Sequence, residues 1–284
     1  MLEESLRRRL EELNRGILPT STRSPQRVRP KPQTTRAIVQ PKPVKPLPGL
    51  LRTAQVVAAA SGEHLRIRLP LERLWPNGSN LVQTRCDELL SNTNCHNRQA
   101  ELATLLEAFP EHVVLMDLET CGLAGAALFL VGLLRSERQQ LFVELLLARN
   151  YAEEQCVLES FWQTISENDV LVTFNGKSFD WPTVCDRSER FLLFRQSRRP
   201  EPLHVDLLHH ARRRWKSILP DCRLQTIESQ ICRRRRIDDL PSQRIPAAYA
   251  DYVRTGFPRE IEAILYHNAV DLVTLLDIAM RLSG

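Results

Sequence analysis

From residue 111 onward the apolar positions fall into short runs at regular intervals. The run at 113–118, "VVLMDL", predicts a buried strand, and apolar runs at 126–134 and 140–147, separated by the polar "RSERQQ", predict two more. Connections that short predict antiparallel neighbours. Helical spacing follows at 151–166, then a strand at 169–175, "DVLVTFN". A helix is expected over 181–196, with Pro182 near its first turn, where a missing N–H does no harm. "PLHVD" at 202–206 reads as extended and leads into a helix through 217; the remainder reads as helical and ends in a long segment at 259–282. Upstream, "EHLRIRLPL" at 63–71 alternates like a strand, and 97–109 has helical periodicity.

The resulting order, β-β-β-α-β-α-β-α, predicts an α/β fold of ribonuclease H-like type: a mixed five-stranded sheet with helices on both faces. Four segments are expected: a short charged helix at 1–16, a Pro/Arg-rich linker at 17–50, a small N-terminal extension at 51–110, and the ribonuclease H-like domain at 111–284. Eight of the eighteen prolines lie in 17–50 among very few large apolar residues, so that stretch is expected to be a semi-extended or disordered basic arm.

Composition narrows the class. With 43% apolar and 26% charged residues, and no run approaching the ~20 apolar residues of a bilayer span, no membrane role is expected. Seven cysteines without a C-x-x-C pair argue for reduced thiols in a cytoplasmic protein, and the lone Cys95 beside His96 does not make a zinc site. Charge is unevenly placed: residues 1–50 carry eleven Lys/Arg against four Glu, a net +7, so the other 234 residues sum to −2 of the total +5. A basic arm on a near-neutral body suits a nucleic-acid or protein partner; a solubility tail is the plain alternative.

The chemistry is carried by acids at element ends. Asp117 and Glu119 are two apart on the first strand, so they share a face. Two adjacent buried carboxylates repel unless a cation offsets them. Asp180 lies in "FNGKSFDWP", after the fourth strand, and Asp271 lies in "YHNAVDLVTLL" on the last helix, four residues beyond His267 and on its face. Four carboxylates and a histidine brought together form an all-oxygen cage for two Mg²⁺ or Mn²⁺ ions, the arrangement for in-line phosphoryl displacement. A histidine with a pKa near ~6.5 takes a proton from water at neutral pH.

"DLETCGL", "FNGKSFD" and "HNAVD" resemble the three motifs of the DEDD (DnaQ-like) 3′–5′ exonuclease superfamily. "LHVDLLHHARRRWKSILPDCRLQTIE" and "IDDLPSQRIPAAYADYVRTG" resemble its YprB-like branch. The likeness covers about 111–284. It implies Asp117, Glu119, Asp180 and Asp271 as metal ligands, with His267 as the base and Tyr266 as the alternative. In that family the third motif is Tyr-x3-Asp or His-x4-Asp, and here the two residue types are exchanged. A residue five before Asp271 lies about 140° around the helix, which favours His267.

Weaker signals are weighed beside these. Asn175 and Lys177 are candidates for contact with a substrate phosphate, though Asn-Gly is also an ordinary turn. "RRRW" at 212–215 and "RRRR" at 233–236 can follow a nucleic-acid backbone or form a solvated helix face, and Trp181 is read as core. The expectation is a metal-dependent 3′–5′ exonuclease, a hydrolase of phosphodiester bonds at single-stranded DNA or RNA 3′ ends. A ribonuclease H-type endonuclease or resolvase, and a catalytically silent nucleic-acid-binding protein, are the alternatives.

Overall fold

The computed structural model describes the backbone of residues 42–44 and residues 47–91, 99–122 and 125–284. The expected charged helix at 1–16, the linker up to residue 41 and the Cys95–His96 pair lie outside these residues.

One seven-stranded sheet organises the chain. In chain order its strands are β2 (Gln55–Ala59), β3 (Gly62–Pro70), β4 (Val113–Thr120), β5 (Leu128–Glu137), β6 (Gln140–Leu147), β7 (Val170–Thr173) and β8 (Leu203–Asp206); β1 (Lys42–Val44) and β9 (Arg234–Arg236) form a separate parallel pair. The spatial order is β2-β3-β6-β5-β4-β7-β8, antiparallel from β2 to β4 and parallel from β4 to β8. The five-stranded ribonuclease H-like sheet expected from sequence is present as β6-β5-β4-β7-β8. The β2–β3 hairpin lengthens it to seven by hydrogen-bonding β3 to β6, Leu65 opposite Leu147 and Ile67 opposite Leu145. In β3, Ile67 and Leu69 turn into the core while Arg68 stays exposed, which is the period-two pattern of a half-buried strand.

The helices are α1 (Leu71–Leu74), α2 (Gly78–Ser91), α3 (Ala100–Ala108), α4 (Glu154–Thr164), α5 (Asp180–Arg190), α6 (Leu207–Trp215), α7 (Leu224–Gln230), α8 (Ile245–Thr255) and α9 (Pro258–Leu282). The "RRRR" run is neither a helix face nor wholly solvated. Arg233 has φ +57° and the next three residues form β9, paired with β1 in the register Pro43–Arg235. Strand alternation then turns Arg234 and Arg236 inward, with side chains only 12% and 4% exposed.

Helix α9 is the spine of the molecule. Its 25 residues pack against β4, β5 and β6 on one side and against α1, α2, α6, α7 and α8 on the others. By length and mean hydropathy (1.3) it could cross a membrane, but 94% of its most apolar window is buried within this fold. A helix buried on nearly every side must be largely apolar, and the polar groups it does bury, His267, Asn268, Asp271 and Asp277, each find partners.

Close approach of α9 to the sheet depends on Gly132 of β5. Directly opposite Asp117 in register, Gly132 leaves room for Asn268 of α9. A methyl group there would overlap Asn268 Oδ1 and stand 2.8 Å from its Cγ and 3.0 Å from Leu272 Cδ1. Gly132→Ala is therefore expected to destabilise the protein by about 1–3 kcal/mol through overpacking, read as a lower urea midpoint at unchanged m-value. An unaltered midpoint would mean that α9 does not rest on this strand as described.

Candidate active site

Asp117 and Glu119 project from the same face of β4, the strand flanked on one side by antiparallel β5 and on the other by parallel β7. Asn268 of α9 reaches across to this face: its Nδ2 donates to Asp117 Oδ2 at 2.8 Å and to the Asp117 carbonyl at 3.3 Å. Asn268 Oδ1 is buried and accepts no hydrogen bond.

Asp180 opens α5, where the positive end of the helix dipole favours a carboxylate. It is 7% exposed, and its carboxylate takes the backbone N–H of Leu118 on β4 and its own N–H. The loop that delivers it, 174–179, is held from beneath by Asp206 at the end of β8. Asp206 accepts from Asn175 N at 2.8 Å, Lys177 N at 3.1 Å and Leu208 N at 3.0 Å, the last as N-cap of α6. Asn175 takes φ +67°, a conformation Asn tolerates, and Gly176 lies where a Cβ would strike Thr173. The Asn-Gly pair thus has a full structural reason for its presence. Lys177 Nζ pairs with Glu101 of α3 at 3.3 Å.

Asp271 completes the carboxylate set from α9, one turn after His267. His267 Nε2 lies 3.2 Å from Asp271 Oδ2, and its Nδ1 lies 2.9 Å from Asp239 Oδ1. Asp271 Oδ1 accepts a short hydrogen bond from Arg236 of β9. The same guanidinium gives Nε to Glu228 Oε2 at 2.7 Å and Nη1 to Asp239 Oδ2 at 3.3 Å. Tyr266 is buried next to His267 in sequence, its hydroxyl without a hydrogen-bond partner, and it feels the charges of Arg236, Asp239 and Glu228.

Six carboxylates thus share one region with two cations, and both cations sit at the Asp271 end. The consequences are unequal. Burial pushes Asp117 well above the usual carboxylate range, with repulsion from Asp271, Glu119 and Asp180 adding to it. Burial likewise raises Glu119 to about 8, against the pull of His267. Burial lifts Asp180 to about 7 despite its backbone hydrogen bonds. Asp271 is buried more deeply than Asp117 or Glu119, yet Arg236 and His267 outweigh burial and hold it down at about 2. His267 is carried up to about 11 because its hydrogen bonds to Asp239 and Asp271 overcome its burial. As it stands it is an imidazolium at neutral pH, not the free base expected from its ordinary pKa.

The five residues expected from sequence therefore lie near one another: Asp117 feels the charges of Glu119, Asp180, Asp271 and His267, and Glu119 those of Asp180, Asp271 and His267. Among the described residues, however, no three His, Cys, Asp or Glu side chains are grouped ready to hold a metal ion. The donor chemistry still fits a hard divalent cation. Asp117, Glu119 and Asp180 offer carboxylate oxygens only, repel one another, and have no Lys or Arg ion-pair partner among the described residues. Asp271 would have to be drawn away from Arg236 and His267 to join them.

Sequence reasoning missed Asn268, Arg236, Asp239 and Glu228. Asn268 had a usable signal, since it lies three residues before Asp271 and shares its face. The other candidates are tied down elsewhere: Arg214 donates to the Gly284 carbonyl at 3.2 Å, His210 meets Glu101 at 2.8 Å, and Trp181 packs edge-on against Trp162.

A mixed sheet in this order, with carboxylates on its first core strand, at the start of α5 and on a closing helix, defines a ribonuclease H-like domain. Residues 114–283 match the RNase_H superfamily, and the chain belongs to it. It is 35% identical over 172 residues to the uncharacterized protein YprB of Bacillus subtilis (strain 168), an alignment taking in 59% of this chain and 41% of that one. The chain thus spans well under half the length of that relative. Among solved structures it is similar to the family B DNA polymerase from the hyperthermophilic archaeon Pyrobaculum calidifontis, with TM-score 0.49 and 16% identity over 61% of this chain and 24% of the polymerase.

The electrostatics fix a sign for pH dependence. A carboxyl raised in the folded state, from 4.5 to about 8 for Glu119 and from 3.8 to about 7 for Asp180, favours folding below its unfolded pKa. That contribution fades as pH rises through the folded value, because the folded state binds the extra proton. His267, raised from 6.5 to about 11, acts in the same direction at higher pH. In a chelating buffer the melting temperature is expected to fall as pH rises from about 5 to about 9, and Glu119→Gln to flatten the lower part of that slope. A melting temperature rising over this range would contradict the assignment.

Proposed function

We propose that the chain is a metal-dependent nuclease of the 3′–5′ exonuclease type, acting on single-stranded nucleic-acid ends in the cytoplasm. The observation that carries this reading is the mutual repulsion of Asp117, Glu119 and Asp180, none of which has a Lys or Arg ion-pair partner among the described residues. Such a cluster is destabilising by itself and is kept where a cation is to be held. Membership of a superfamily whose members are generally nucleases agrees with it.

Asp117, Glu119, Asp180 and Asp271 would hold two Mg²⁺ or Mn²⁺ ions. When bound, these would supply positive charge to the attacked phosphodiester and its leaving oxygen. The chain's own residues do the remaining work. Asn268 fixes the Asp117 carboxylate through its amide, so that the carboxylate meets its ligand in one orientation. Asp239 holds Nδ1 of His267, leaving Nε2 as the atom that gives or takes a proton. Nε2 now faces Asp271, and the pair of carboxylates around the ring keeps it protonated. Once the Asp271 charge is neutralised by another cation, the ring loses one of the two interactions that raise it. Its pKa then falls toward the range in which it can accept a proton from water. Tyr266 is poorly suited to that role, being raised by burial to about 12. Lys177, freed from Glu101, and the Asn175 side chain are the groups assigned to the substrate phosphate.

One specific observation favours a second reading, a silent nucleic-acid-binding protein: Asp271 is already neutralised by protein cations. A panel of end-labelled DNA and RNA, single- and double-stranded, with Mg²⁺ or Mn²⁺, separates the readings. Mononucleotide release is expected, falling below about one-hundredth of wild type in Asp117→Ala. Cutting of a circular strand would indicate an endonuclease instead. Nucleic-acid binding without any metal-dependent cleavage would establish the silent protein.

The basic arm supplies a separate expectation. Removing residues 1–41, and not the β1 strand or the buried Leu50 beyond them, is expected to weaken nucleic-acid binding and flatten its dependence on salt. Hydrolysis of a dinucleotide should be unaffected. A salt slope that survives the deletion would leave the arm as a solubility tail or a protein-docking segment.

A further inference from the structure

The Arg236 guanidinium is 4% exposed and makes an ion pair with each of three carboxylates: Glu228, Asp239 and Asp271. Two of these partners, Glu228 and Asp239, lie outside the metal-holding set. Glu228 is itself buried and takes a further hydrogen bond from Thr274 of α9 at 3.2 Å, so it is a fixed post. Asp239 is fixed by His267. Arg236 therefore has a complete anchorage without Asp271, and its third contact is the one that can be released. Beside it a cleft of about 300 Å³ is lined by Glu228, Ser229, Arg234, Arg236, Asp239 and Pro241 among others.

We propose that Arg236 is a resident counter-cation that competes with divalent metal for Asp271, so that metal loading exchanges one positive charge for another at that carboxylate. The proposal rests on the nuclease reading for the identity of the metal site, but it concerns a residue that site does not include. In the metal-free protein Arg236 pairs with Asp271 and keeps it in place; when metal arrives, Asp271 turns toward Asp117 and Glu119 while Arg236 stays on Glu228 and Asp239. The exchange sets a threshold, because the ion binds only by displacing an ion pair that is already formed and shielded from solvent. It also explains why four convergent carboxylates do not stand grouped about a single vacant point.

Mn²⁺ titration by calorimetry on the full chain tests this directly. Wild type is expected to bind Mn²⁺, and Asp117→Ala to lose that binding, which identifies the site. Arg236→Gln is then expected to bind Mn²⁺ at least about tenfold more tightly, the effect of taking one unit of positive charge away from a divalent-ion site. Arg236→Lys keeps the charge but loses the three-way fork, and should fall between the two. It serves as the second variant should the glutamine protein fold poorly. Equal or weaker binding in both variants would overturn the competition while leaving the metal site intact. Absence of binding in wild type as well as in the variants would overturn both this proposal and the nuclease reading. Thermal shift gives an independent readout: Mn²⁺ should raise the melting temperature of Arg236→Gln by more than it raises that of wild type, and an equal or smaller rise counts against the exchange.

Discussion

The structure depends on how it manages repulsion among carboxylates that the fold forces together. Asp117 and Glu119 share a face of β4, Asp180 is tied to β4 through the Leu118 N–H, and α9 lays Asp271 against the same region. Asp180 and Asp271 are buried, and Asp117 and Glu119 are half-buried. The offset is supplied unevenly. Arg236 and His267 attend to Asp271, Asn268 attends to Asp117, and Glu119 and Asp180 have no Lys or Arg ion-pair partner among the described residues. This asymmetry makes one end of the site stable as a salt-bridge network and leaves the other demanding positive charge.

Much of this frame is legible in the sequence because it is written in local signals. The uninterrupted apolar run of β4, the long apolar segment of α9 and the polar interval between β5 and β6 each reflect burial or its absence within a few residues. The i,i+2 spacing of Asp117 and Glu119 and the i,i+4 spacing of His267 and Asp271 translate into shared faces by geometry alone. The site residues chosen that way do gather in one place. What geometry cannot convey is a partner far away in the chain. The alternation of β3 marks it as a strand, yet nothing local says that it pairs with β6, so a five-stranded sheet was the natural expectation and seven strands the outcome. β2, with the short "QVVAA", has too weak an alternation to be seen at all.

The arginine run is the clearest failure of local reasoning. Four successive basic residues look like a solvated surface, and that is where most such runs lie. Here β9 is held by pairing with residues 42–44, some 190 positions earlier, and strand alternation then sends Arg234 and Arg236 inward. Their burial is possible because Asp277 meets one of them and Glu228, Asp239 and Asp271 meet the other. A buried guanidinium can be read from sequence only if its carboxylates can be, and those are scattered over α7, α9 and the loop that follows β9. The surroundings of His267 were hidden for the same reason. Its ordinary pKa suggests a base at neutral pH, but two carboxylates on opposite ring nitrogens make it a cation.

Stability and function place opposite demands on that network. A buried ion pair adds little net stability over an apolar substitute, yet removing one member is costly because it strands the other. Arg236 therefore gives its strongest service as an element of order: it keeps Asp271, Asp239 and Glu228 in fixed positions while no other cation is present. The tighter that grip, the harder it becomes for Asp271 to take part in anything else. Two carboxylates beyond the reacting set resolve the conflict, since Arg236 and His267 can each release Asp271 and remain paired, the first to Glu228 and Asp239, the second to Asp239 alone. With its ring still fixed through Nδ1, His267 would lose only the contact at Nε2, the atom that must become free for proton transfer. One movement of the Asp271 side chain would then both complete a ligand set and release a base.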